Sequence, residues 1–238
     1  MKKAKGLSAI LLAGGLCSAA WADVASPGLW RFWRKGRPLP ESTTGVSMES
    51  ETVHVTLAEK KARVEAVFRM YNTGSPTKEP MSYPVGRYET VLNDFAVSLD
   101  SETVAAEDIR DQDRERVGSF GYKFWTVPMS AQQRRTIKVT YWVAPRFVSE
   151  GINKIDNEYL AYEYTMITGA TWKGNIQKAT ILLRLDDVTP DRVLARSPEG
   201  YKTTQDGKVT SWTMRDFKPT ENIEIRFRPA PPSASAGQ

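Results

Sequence analysis

The chain has 238 residues, 33 of them Lys or Arg and 28 Asp or Glu, with one histidine and one cysteine. A formal charge of +5 spread over a mixed surface is not the footprint of a nucleic-acid binder. A single cysteine rules out an internal disulfide framework and a cysteine-rich zinc site, so the fold must rest on its core.

Residues 1–22 read as a secretory leader. Lys2, Lys3 and Lys5 form a positive start, and Ala20-Trp21-Ala22 places small residues at the −3 and −1 positions of a signal-peptidase site. The apolar run from Leu7 to Leu16 is about ten residues long, against the about 20 that span a bilayer. Cleavage is expected between Ala22 and Asp23. The alternatives are an uncut anchor or a lipid on Cys17, although Leu16 stands where a lipidated cysteine usually has a small neighbour. Cleavage leaves 216 residues, enough for one large or two small domains. It also removes three lysines, so 30 basic residues face 28 acidic ones, a balance of +2. The expected location is periplasmic or secreted.

Residues 23–45 form an aromatic and basic arm. Trp30, Phe32 and Trp33 interleave with Arg31, Arg34, Lys35 and Arg37. Rings beside basic heads suit an anionic membrane surface or an acidic partner. They equally suit an arm packed along the protein with its charges reaching water.

Period-two alternation then predicts strands. Val53, Val55 and Leu57 alternate with His54 and Thr56. Ala62, Val64, Ala66, Phe68 and Met70 alternate with Arg63, Glu65 and Arg69, and Asn72-Thr73-Gly74-Ser75-Pro76 ends that run as a turn. Further strands are expected at Phe95–Leu99, at Tyr122–Met129 and at Ile137–Val143, where Trp142 shares the polar face with Thr136, Lys138 and Thr140. Glu107 to Val117 is charged throughout and reads as a short exposed helix or a loop. Its acidic residues Asp108, Asp111, Asp113 and Glu115 lack the glycine and glutamate spacing of a helix-loop-helix calcium site, and interleaved arginines favour a solvated loop.

The pattern fades from Phe147 to Glu158 and returns at Leu160–Met166, Ala179–Leu185, Val209–Met214 and Ile223–Phe227. The expected fold is all-β: antiparallel β-sandwich, as two immunoglobulin-like sandwiches in tandem, over 46–148 and 155–228. A wide loop within one larger sandwich is the alternative. The segment 229–238 has little to bury and reads as a disordered tail.

Two blocks carry a resemblance. Thr168-Gly169-Ala170-Thr171-Trp172-Lys173-Gly174 precedes an amphipathic strand, and Phe68-Arg69-Met70-Tyr71-Asn72-Thr73-Gly74 ends an earlier one. Together they resemble an uncharacterised family of exported bacterial β-sandwich proteins with a Thr-Gly-x-x-Trp-Lys-Gly turn. The resemblance implies export and β architecture, and it transfers no activity and no catalytic residues. Read from its residues, the turn either caps the sandwich with Trp172 between two permissive glycines, or offers Trp172 as an aromatic platform with Lys173 as its cation.

Catalytic chemistry finds few candidates. His54, the only histidine, lies on a polar strand face, so a Ser-His-Asp triad or a His-based metal site would depend on it alone. The nucleophile elbow, the phosphate loop and the dinucleotide fingerprint are absent from the sequence. Glu65 and Glu163 are strand-borne carboxylates that could hydrolyse glycosides only if the fold brought them together. The expected function is therefore a non-enzymatic, exported envelope protein that is structural or interaction-mediating. It would need no cofactor, and its partner would be a protein or glycan of the cell envelope. A carbohydrate-binding or carbohydrate-active module, and a protein held peripherally on the membrane by its arm, are the alternatives.

Overall fold

The computed structural model describes residues 45–87, 91–110, 120–149 and 158–231. The leader, the arm with Trp30–Lys35 and most of the tail lie outside these residues.

Alternation becomes strand as the side-chain pattern dictates. β1 (Val46–Leu57) and β2 (Ala62–Asn72) form a hairpin that buries Val53, Val55, Leu57 and every second residue of β2. The described chain continues with β3 (Thr77–Arg87), β4 (Asn93–Leu99), β5 (Glu102–Val104), β6 (Glu107–Arg110), β7 (Phe120–Met129), β8 (Arg134–Val143) and β9 (Arg146–Ser149). It ends with β10 (Glu158–Tyr164), β11 (Ile176–Leu185), β12 (Val193–Ser197), β13 (Lys202–Thr203), β14 (Val209–Phe217) and β15 (Ile223–Phe227). The helical pieces among the described residues are two short 3₁₀ turns, Ile167–Thr171 and Pro190–Arg192.

Three open sheets result. The largest runs β13-β14-β11-β1-β2-β8-β4-β5, the second β12-β15-β10-β9 and the third β3-β7-β6. The large sheet buries one face and exposes the other. Both smaller sheets cover the buried face. Tyr83 of β3 meets Tyr141 of β8 with ring centroids 5.5 Å apart, and the Tyr164 hydroxyl of β10 reaches Glu51 of β1 at 2.7 Å. One apolar core joins all three, from Val46 to Phe227. Each large aliphatic side chain fully buried there contributes roughly 1.5–3 kcal/mol.

The tandem arrangement is corrected by this topology. β1 pairs with β11 in parallel, Val53 opposite Ile181 and Leu57 opposite Leu185. Strands from both expected domains therefore share one hydrogen-bonded sheet, and the division into 46–148 and 155–228 is not an architectural boundary. The sheet is also not purely antiparallel. Alternation shows which face a residue takes but not which strand lies beside it, and that is why the pairing was not legible. The charged stretch after Glu107 begins as strand β6 rather than as helix or loop, held by Asp108 on Lys123 at 2.6 Å. Its continuation through 111–119 lies outside the described residues.

Candidate functional site

The exposed face of the large sheet carries a recess built around Trp142. Tyr141 and Val143 point into the core, so the period of β8 turns Trp142 outward. Its cross-strand neighbours are Arg63 on β2 and Asn93 on β4. The β4–β8 ladder then slips between Asn93 and Ala96. Asp94, inside this slip, takes a left-handed backbone with φ of 51°, a conformation Asp tolerates better than most residues. The slip aims its carboxylate at Trp142, and the indole Nε1–H donates to Oδ2 at 2.9 Å.

The resulting cleft has a volume of about 210 Å³ and is lined by Lys61, Arg63, Asp94, Thr140, Tyr141 and Trp142. On the same face Lys138 is paired with Glu65 at 2.8 Å and Arg134 with Glu49 at 2.8 Å. Lys61 and Arg63 are exposed and carry no ion pair among the described residues. An aromatic wall, two cations and one carboxylate thus converge on a small recess.

Two carboxyls elsewhere have raised pKa values. Glu51 lies on the inner face of the large sheet. Burial pushes it up to about 7, opposed by the hydrogen bond from Tyr164. Burial likewise pushes Glu163 up to about 7, opposed by the Asn222 amide at 2.6 Å and reinforced by the neighbouring Glu224. A carboxyl pair can share acid–base work only when both groups face one substrate. Glu51 meets the inward face of β10 through Tyr164, whereas Glu163 projects from the opposite face of that strand, beside Glu224 and Arg226. The Glu65–Glu163 pair fares no better. Glu65 sits on the outer surface of the large sheet, tied to Lys138, and Glu163 on the outer surface of the four-stranded one.

No protein-family model and no curated protein matches the sequence. Among solved structures the chain is similar to a candidate nutrient-binding protein from Legionella pneumophila, with a TM-score of 0.63 and 16% identity over 88% of this chain and 70% of that one. It is also similar to an M1 zinc metallopeptidase from Deinococcus radiodurans, with a TM-score of 0.44 and 10% identity over 79% of this chain and 43% of that one. The first likeness is one of fold. The second is too distant to bear on function, and the chain spans less than half of that enzyme.

The Trp-Lys-Gly turn has a structural place. Trp172 is 1% exposed, so its ring offers no platform to a ligand. The carbonyls of Ala170 and Trp172 accept from Lys218 Nζ at 3.1 and 2.8 Å. Lys173 turns the other way. Its backbone N–H donates to Val46 at 3.3 Å and its Nζ lies 3.2 Å from Thr73 Oγ1. The two blocks that carried the resemblance therefore meet in space. Gly45 and Gly74 touch there so closely that a Cβ on Gly45 would lie 2.5 Å from the Gly74 nitrogen. Buried Asn72 bridges the same corner, accepting from the Gly74 N–H at 2.9 Å and donating to Ser75 and Ser130. His54 is exposed on the outer face.

Sequence reasoning did not assemble Lys61, Arg63 and Asp94 with Trp142. One signal was available, an indole on an otherwise polar strand face. A second was Glu51, whose position two residues before Val53 puts a carboxyl in phase with an apolar stripe.

Proposed function

We propose that this chain is an exported, non-enzymatic protein of the bacterial cell envelope that binds a small molecule in the Trp142 cleft. The observation that carries this reading is the recess itself: an indole held by Asp94 and flanked by two cations, Lys61 and Arg63, that form no ion pair among the described residues. A shared fold with a candidate nutrient-binding protein supports a binding role, and the leader pattern of residues 1–22 supports export. Binding asks only for placed polar groups on a rigid support, which β8 and β2 supply.

The test is a thermal-shift screen of the mature protein against a metabolite library, repeated on Trp142→Ala. Ligands that raise the melting temperature of the wild type and leave Trp142→Ala unmoved are expected. Hits that stabilise both proteins equally would remove the cleft from the argument. Turnover of any library compound would remove the non-enzymatic part. Intact-mass analysis of protein from cells should find Asp23 at the N-terminus, and an intact Met1 or a lipid on Cys17 would overturn the leader assignment.

A further inference from the structure

We infer that the Trp142 cleft recognises a single acidic sugar ring, a pyranose bearing one carboxylate. This rests on the binding role proposed above and adds the chemical class. Four features of the cleft converge on it.

Size comes first. A recess of about 210 Å³ is smaller than the about 300–1,000 Å³ of pockets for drug-sized ligands, and it suits one six-membered ring. Surface chemistry comes next. The indole N–H is already committed to Asp94, so Trp142 offers the cleft carbon and π surface. The C–H bonds on one face of a pyranose are weakly positive and lie well on the negative face of an aromatic ring.

Charge selects an anion. Lys61 and Arg63 against Asp94 leave one net positive charge in the lining, which a monoanion balances. The guanidinium of Arg63 presents parallel N–H groups that match the two oxygens of a carboxylate. A doubly charged phosphate would overcompensate that single net positive charge. Hydroxyls then satisfy the remaining polar groups. Asp94 keeps acceptor capacity beyond the indole bond, and Thr140 supplies a hydroxyl that both donates and accepts. A ring with hydroxyls uses these groups, and an aromatic acid such as benzoate leaves them idle.

The experiment is a calorimetric and tryptophan-fluorescence titration of the mature protein with four probes: glucuronic acid, glucose, benzoate and acetate. Glucuronic acid is expected to bind, with glucose, benzoate and acetate each at least tenfold weaker. Arg63→Ala should weaken glucuronic acid at least tenfold without changing the far-UV circular dichroism. Trp142→Phe should retain part of the binding and Trp142→Ala none of it. If glucose matches glucuronic acid and Arg63→Ala affects neither, while Trp142→Ala loses both, the cleft binds sugars and the acidic class is wrong. If benzoate binds as tightly as glucuronic acid, the sugar part is wrong. If none of the four binds, the inference falls, and the metabolite screen decides separately whether the cleft binds anything.

Discussion

Glu51 holds a carboxyl on the inner face of the large sheet, opposite Ala179 on β11 and Phe68 on β2. It is 1% exposed, and burial lifts its pKa from the ordinary 4.5 to about 7 even though the Tyr164 hydroxyl favours the charged form. Between those two values the native state keeps a proton that the unfolded chain has released. The contribution to stability is therefore greatest below pH 4.5 and falls as pH rises through 7. A shift of this size corresponds to roughly 3 kcal/mol at most. Glu163 acts in the same direction on the other face of β10. Glu59, Asp191 and Asp206 have lowered values, so their effects fall in the acid range below pH 4.5. Wild-type unfolding free energy should thus decrease from pH 5 to pH 8, measured by urea titration. Glu51→Gln, which keeps the shape and an acceptor for Tyr164, should remove about half of that slope, Glu163 carrying the rest, and be more stable than wild type at pH 8. A slope left unchanged by the substitution would show that Glu51 does not titrate in this window.

At the scale of elements, β11 joins the two halves of the chain. Its inward residues lie between two neighbours, Ile181 between Val53 and Trp212 and Leu183 between Val55 and Thr210. Ile181 is fully buried, and its neighbour Leu182 sits on the outer face, half-buried. Ile181→Ala should cost about 2–5 kcal/mol through lost burial and the cavity left behind. Leu182→Ala should cost about 1 kcal/mol or less. Equal losses in chemical denaturation would mean that β11 is displaced by one residue, since a single-residue slip exchanges the two faces. β3 illustrates the opposite case. Its Pro80 and Pro84 are tolerated because it lies at the edge of its sheet, where a missing N–H need not break a ladder.

For the molecule as a whole, one core and one continuous sheet imply one cooperative unit among the described residues. Unfolding the second half would strip β11 from β1 and uncover Glu51, Val53 and Val55 to water. Tryptophan fluorescence and far-UV circular dichroism should therefore report a single, coincident urea transition. Two resolved transitions would show that the halves fold separately despite their shared sheet.

Residue-level patterns in the sequence sufficed for the all-β class, for the inward and outward faces of β1, β2, β8 and β11, and for the turn after Asn72. Each of these is a local consequence of period-two geometry or turn chemistry. Strand partners were decided only in three dimensions, because β1 and β11 lie more than a hundred residues apart and alternation is blind to which neighbour fits. The same holds for the candidate site. In the sequence Trp172 reads as a turn residue and Trp142 as one on a polar strand face, and packing buries the first in the core. A left-handed residue at Asp94, in a slipped ladder, holds the second at the surface beside Lys61 and Arg63. Charge and aromaticity are written in the chain; convergence of three strands on one recess is a property of the folded sheet.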